Sequence, residues 1–517
     1  MINRMDRILK NTISRKRGFL NGKYNCSAGR FVKRNMFEKK EKALSFIIPL
    51  FIRSIPEVLS WPYPIGFDPV GFYAPSAVDE VVFHISFSEL LKRTSFLYIV
   101  YTLFYKLIGD PLLPSKILAP LLTGFIGYTV YIFVRGLGVK PSTAFLASIL
   151  STTYFVALRI SWEMYRQMFA TIFLFTIFYL ETKPQTLTNK IFQAVLSFLT
   201  SWSHEFITLL LLIHKGIQAL EKKNPWKILQ EALLALPAAL FLLYEVYSPR
   251  EVALQIPVFH VKSSSTLDTF FFITGFIVYL YLPIAPLVIP GMSFLKTPQL
   301  RNWALTCLAL SYLPLNPSGF DIHWYRWVIL LNYPITITAA KGFELLTSSR
   351  SGKRSIARKV AFGTLVLVFV FTATYIALPP EQQWNKYFGD WNSYKQFIQT
   401  SMLQSSIPLK DIEPTIEAIK WVDSLPGNKT LVLHEAFHNW AKIYARHTNL
   451  IRIVESDLTS PIRTNISEQL LQLAVFQNNT VYTIWWTNTT WYNMPRPPPQ
   501  FKLLRAFQDI AVYIYQP

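Results

Sequence analysis

Residues 141–180 read PSTAFLASILSTTYFVAL, then RISWEMYR, then QMFATIFLFTIFYL. Two uncharged apolar runs, 141–158 and 167–180, flank a short polar link that carries Glu163 and Arg166. A helix needs about 20 mostly apolar residues to cross a bilayer, so each run predicts a crossing and the link predicts a turn at one membrane face. The same reading extends outward in both directions. Runs at 43–60, 117–134, 191–203, 206–220, 232–244, 269–295, 302–320, 327–340 and 360–380 bring the expectation to about eleven spans. Composition agrees. Of 517 residues, 51% are hydrophobic and 16% charged, against about 25% charged in soluble domains. Mean hydropathy is +0.27. A disordered chain, a collagenous chain and a disulfide scaffold are excluded, and the two cysteines, Cys26 and Cys307, build no cysteine-based zinc site.

Net charge is +21, and its placement is the informative part. Residues 1–42 hold 13 Lys and Arg against 3 acids, whereas residues 379–517 hold 12 against 11. This pattern fits anionic lipid and the positive-inside bias, not nucleic acid. Basic residues recur at Arg135/Lys140, Lys183/Lys190, Lys215 to Lys227, Lys296/Arg301 and Arg350 to Lys359, in alternate loops. The expected layout is a multi-pass protein of the cell membrane. Residues 1–42 form a basic cytoplasmic segment, 43–378 a membrane domain with a long external loop at 61–115, and 379–517 an external domain. Four glycosylation sequons, at Asn428, Asn465, Asn478 and Asn488, lie in the expected external part, and one, at Asn25, in the cytoplasmic part. Within the first loop, 95–109 reads as an interfacial helix, with Tyr98, Tyr101, Tyr105 and Lys106 at the lipid boundary. From 379 to 410 the chain reads as a connector. After it, a helix at 411–424 precedes strands at 430–433, 450–454 and 480–486 that alternate with helices, which predicts a small parallel sheet. The end, FKLLRAFQDIAVYIY, predicts two further strands.

Ionisable groups at or within spans are costly and mark function. Here they fall in four places, all expected on the external side. Asp68 follows the first span. Glu163 and Arg166 occupy the quoted link, His204 and Glu205 the next external turn, and Asp321, His323 and Arg326 the mouth of the tenth span. Arg53 and Glu57 read as an i, i+4 pair, and Arg159 as an ordinary interfacial residue. Four acid- and base-bearing clusters beside Trp and Tyr predict one polar cavity roofed by the external domain. A desolvated carboxylate there becomes a usable base, and Arg or His there holds an anionic group such as phosphate.

The ordered set resembles the GT-C-type integral membrane glycosyltransferases, in the protein mannosyltransferase and aminoarabinose transferase branch and its archaeal relatives. The resemblance covers roughly residues 43–345. It rests on Gly66-Phe-Asp68 after the first span, Tyr101-x-Leu-Phe-Tyr-Lys-Leu-Ile-Gly109, Val134-Arg-Gly-Leu-Gly138, the Glu163/Arg166 pair, His204-Glu205 and Arg326-Trp327. It implies an all-α membrane fold with a small external α/β domain. It also implies transfer of a hexose or pentose from a polyprenyl-phosphate donor to a protein, lipid or glycan acceptor. On this analogy Asp68 is the base, with Asp79-Glu80 as the alternative. Glu163 positions the acceptor or, with Asp68, a divalent metal such as Mg2+ or Mn2+, should the chemistry need a cofactor at all. Arg166, His323 or Arg326 meets the leaving phosphate, and His204 and Glu205 line the substrate site. Asp68 is followed by Pro69 where many relatives carry a second acid, which keeps a catalytically silent scaffold as one alternative. A competing motif, His434-Glu435-Ala-Phe-His438, is a literal H-E-x-x-H. It raises a membrane-anchored zinc peptidase as the other, with Glu435 as base and His447 or Glu455 as a third ligand.

Overall fold

The computed structural model describes residues 38–79, 86, 89–91, 95–222, 224–247, 259–260, 265–316, 320–321, 323–348, 354–377, 407–453, 466–487 and 496–517. The connector expected at 379–410 lies almost wholly outside the described residues, as do Glu80 and Glu455.

Helices dominate the first three quarters. Among them, in chain order, are α1 (38–59), α2 (Phe96–Ile108), α3 (Leu113–Gly136), α4 (Pro141–Thr153), α5 (Phe155–Glu163), α6 (Tyr165–Glu181), α7 (Leu187–Ser203), α8 (Glu205–Glu221), α9 (Pro225–Tyr247), α10 (Thr266–Tyr281), α11 (Pro298–Ser311), α12 (Trp324–Leu330), α13 (Asn332–Ser348) and α14 (Arg354–Ala377), with shorter helices at Ala74–Val78 and Ala285–Gly291. Proline opens several of them, at Pro114, Pro141 and Pro298, where its missing N–H has no intrahelical partner to lose. Among the described residues, four helical stretches are each long and apolar enough to cross a membrane: Leu113–Gly136, Pro225–Glu245, Thr266–Lys296 and Ile356–Ala377. The pair α4 and α5 makes a fifth if counted as one span, bent by 56°. The bend sits at Tyr154, whose ψ of 140° breaks the helix.

Tight crossings use glycine. A Cβ on Gly342 would lie 1.8 Å from the Leu287 carbonyl oxygen, and one on Gly291 2.1 Å from that of Thr338. Small residues let these backbones touch, the usual device where lipid removes the hydrophobic drive for helix association.

Three expectations change. The link 159–166 is not an exposed turn: it is the buried end of α5 and the start of α6, with Arg159 and Glu163 each 2% exposed. The helix at 95–109 forms, but it turns Tyr98 and Tyr101 inward. Tyr98 packs edge-on against Tyr73, and Tyr101 Oη pairs with Ser115 Oγ at 2.6 Å, so protein contacts replace the lipid boundary. Lys215, expected in a basic loop, is buried in α8 between Glu181 at 2.6 Å and Glu231 at 3.0 Å. His214 beside it meets the same Glu181 at 3.2 Å. Paired acids make that burial tolerable.

The C-terminal layer contains α15 (Leu409–Ser424), β1 (Lys429–His434), α16 (Glu435–Tyr444), β2 (Asn449–Ile453), α17 (Ile466–Val475), β3 (Thr480–Trp486), β4 (Phe501–Phe507) and β5 (Ile510–Tyr515). The sheet order is β2-β1-β3-β5-β4. The strands β1, β2 and β3 run parallel, as the alternation with helices predicts, and β4 and β5 form a closing antiparallel hairpin. This layer rests on the segment between α1 and α2. Trp440 of α16 packs edge-on against Tyr63, and Asn439 lies against Gly71.

Candidate active site

The site starts at Gly66. A Cβ there would fall 1.9 Å from the Trp162 carbonyl oxygen and 2.9 Å from Glu163 Cγ. Only glycine lets the loop backbone lie on the end of α5. One residue on, the Phe67 backbone faces the Glu163 carboxylate. Asp68 then enters a short helical segment that runs through Pro69–Tyr73 and Ala74–Val78. An Asp before Pro ordinarily caps such a helix, yet the Asp68 side chain makes no capping bond. Its carboxylate, half-buried, instead interacts with Glu163 and with arginines from three other elements.

Tyr73 fixes the other side of the junction. Its Oη donates to the Glu163 backbone carbonyl at 3.2 Å, and its ring stacks on Tyr165 at 5.5 Å. Arg159, one turn before Glu163, pairs with its carboxylate at 3.1 Å. Arg166 reaches across to the break between α7 and α8. Its Nε donates to the Ser203 carbonyl at 3.2 Å and its Nη2 to Glu205 at 3.0 Å. His204 makes that break. Its backbone is extended, and its Nδ1 accepts the Phe206 N–H at 3.3 Å, capping α8. From the far side Arg326 lies 5.5 Å over the Phe206 ring. His323, at a left-handed φ of 48°, hydrogen-bonds Tyr325 Oη at 3.1 Å and meets Phe206 edge-on.

The structure therefore gathers Asp68, Glu163, Arg166, Glu205 and Arg326 into one electrostatic unit. Burial pushes the Asp68 carboxyl up to about 6, while the charges of Arg326, Arg166 and Arg159 and the Tyr73 hydroxyl oppose that rise. His204 and His323 stand behind this group, around Phe206. Burial, reinforced by Arg326, holds His323 well below its usual range, so it brings no positive charge at neutral pH. Asp321 lies in a two-residue ladder with Phe259–His260. Asp79 ends the Ala74–Val78 helix near Lys442 of the C-terminal layer, whereas Asp68 has the three arginines. Arg159 and Tyr73 are the residues that the sequence reading missed. The i, i+4 spacing of Arg159 and Glu163 in an otherwise apolar segment was the available signal.

Among the described residues, no group of three His, Cys, Asp or Glu side chains is placed to hold a metal ion. The H-E-x-x-H motif does not lie on one helix. His434 closes β1 and caps α16, its Nδ1 accepting the Ala436 N–H at 3.3 Å, and only His438 is within the helix. Burial and nearby cations pull both imidazoles down to about 4: Arg452 acts on His434, and Lys442 and Arg452 on His438. Such cations also oppose Zn2+. His447, exposed, is held by Asp423 at 3.2 Å.

No family model matches the sequence, and no curated protein matches it. Two solved structures of ArnT from Cupriavidus metallidurans do resemble its fold. The form bound to undecaprenyl phosphate aligns with a TM-score of 0.55 at 11% identity, over 91% of this chain and 97% of that one. The apo form aligns at 0.52 and 10% identity, over 95% and 98%. With this near full-length likeness, the apolar helices and the small C-terminal sheet, the chain is a multi-pass membrane protein with the GT-C fold.

Proposed function

We propose that this protein is a membrane glycosyltransferase that moves a sugar from a polyprenyl-phosphate-linked donor to an acceptor at the face carrying the C-terminal sheet. The observation that carries this reading is the Asp68 carboxylate, within electrostatic reach of Glu163 and of Arg326, Arg166 and Arg159. The ArnT structure with undecaprenyl phosphate supports the lipid-phosphate donor. In this reading Asp68 takes the proton of the acceptor, whose nucleophilic atom forms a bond to the anomeric carbon as the bond from that carbon to the phosphate oxygen breaks. The electron pair leaves with the polyprenyl phosphate, and Arg326 and Arg166 stabilise the charge where it develops. Glu163 orients the acceptor, and Glu205 holds Arg166 in place. The basic segment 1–42 faces the cytoplasm, 43–378 spans the membrane and 379–517 stands outside.

The test mixes purified full-length protein with labelled polyprenyl-phosphate sugars and a membrane acceptor extract, comparing the wild type with Asp68→Asn and Glu435→Gln. Product from the wild type and Glu435→Gln, and none from Asp68→Asn, is the expected result. Folded wild type that transfers nothing from a broad donor panel sinks the reading and leaves the silent scaffold.

Two further outcomes are expected. Asp68 works only when ionised, so kcat/KM should fall about tenfold per pH unit below its raised pKa and level off above it. A profile flat from pH 5 to 7.5 would remove Asp68 as the base. His434→Ala and His438→Ala should leave transfer unchanged, and metal analysis of the purified chain should find no stoichiometric zinc. One zinc per chain, lost in both variants, would reverse that expectation.

A further inference from the structure

Three charged side chains are buried together next to the proposed site: Arg53 and Glu57 of α1 and Lys116 of α3. Glu57 receives Arg53 Nη2 at 2.7 Å and Lys116 Nζ at 3.3 Å. One acid between two bases leaves a surplus positive charge in a place where charge is costly. Other acceptors meet that surplus. Lys116 Nζ donates to the Glu57 carbonyl at 2.8 Å and to Ser60 Oγ at 3.1 Å. Arg53 donates through Nε to Ser161 Oγ at 2.7 Å and through Nη2 to the Ser161 carbonyl at 3.1 Å. Both carbonyls lie in the last turn of a helix, α1 for Glu57 and α5 for Ser161. Helix ends of this polarity carry unpaired carbonyls and partial negative charge, which suit a cation.

The two capped ends are the ones that lead into the site. Beyond α1 the chain runs to Gly66 and Asp68, and α5 ends at Glu163, two residues after Ser161. From the loop side, Tyr73 bonds the Glu163 carbonyl and the Gly66 backbone lies close against the Trp162 carbonyl at the same end of α5. The geometry points to Arg53 as a positioning residue that fixes the end of α5 against the end of α1 and so sets the placement of Asp68 relative to Glu163. An apolar pair of equal volume would cost less to bury, but it would lack the directional fork that grips both the Oγ and the carbonyl of Ser161. The inference rests on the proposed roles of Asp68 and Glu163.

The experiment uses the full-length chain in lipid nanodiscs and compares the wild type with Arg53→Met and Arg53→Lys. Two quantities are read: kcat and KM for a labelled polyprenyl-phosphate sugar, and hydrogen exchange at the amides of 159–165. Arg53→Met should lower kcat about 100-fold, the scale of a misplacement near 1 Å, with KM for the donor unchanged. Arg53→Lys, which keeps the charge but loses the fork, should recover part of kcat. Exchange at 159–165 should quicken in Arg53→Met while the sheet, 429–515, stays protected. Unchanged kcat, a change confined to KM, or unchanged exchange at 159–165 overturns the inference. If the wild type transfers no sugar, the functional reading fails, and the exchange measurement still decides the role of Arg53. If Arg53→Met does not fold, Ser161→Ala, which removes the Oγ that Arg53 Nε grips, takes its place in both measurements, with the same directions expected and the same results overturning.

Discussion

Replacing Asp68 with Asn should lower transfer by roughly 10^2- to 10^4-fold, the range a positioned general base contributes. The substitution keeps volume and shape, so folding and donor binding should survive and the loss should appear in kcat. The structure gives the reason to expect so large an effect. The Asp68 carboxylate is not used as a helix cap, and burial raises it to about 6 against the pull of three arginines. It is therefore ionised at neutral pH and basic enough to accept a proton. Asn keeps one acceptor oxygen and the shape, but exchanges the other for an NH2 donor and removes the charge and the basicity. Steady-state kinetics on folded variant, confirmed by an unchanged melting temperature, provide the check. Activity within a factor of a few of the wild type would move the base elsewhere, first to Asp79.

Gly66→Ala should be nearly as damaging, for a steric reason. Its Cβ would sit 1.9 Å from the Trp162 carbonyl oxygen and 2.8 Å from the carbonyl carbon. Neither side can yield easily. The Trp162 ring is buried and stacked on Tyr375 at 4.9 Å, and Arg53 holds the neighbouring Ser161. The loop would have to lift, carrying Asp68 with it. A displacement of about 1 Å costs on the order of 100-fold in rate, and overpacking adds about 1–3 kcal/mol of instability. Gly71→Ala is the matched control. There a Cβ would meet only side chains, Phe67 at 3.1 Å and Asn439 at 3.3 Å, which can shift by a few tenths of an ångström. Kinetics and melting temperature for both variants test the claim. A Gly66→Ala protein as active and stable as Gly71→Ala would show that the contact with α5 is unimportant.

Sequence by itself determined the helical membrane architecture, because span length and hydropathy are local properties that the bilayer enforces. It placed the C-terminal strands within a residue or two, since alternating short strands and helices leave a local pattern. It also named most of the polar residues that gather at the site, because charge beside an apolar run is conspicuous. Only the tertiary structure decided how they gather. Arg159 read as interfacial until the 56° bend after Thr153 turned α5 inward and buried it against Glu163. Tyr98 and Tyr101 read as a lipid boundary until Tyr73 and Ser115, distant in sequence, covered them. His434 and His438 matched a zinc motif, but a strand end between β1 and α16 separated their frames. In each case the deciding contact joins residues from different elements. Its geometry depends on helix breaks and crossings, which hydropathy and residue spacing do not encode.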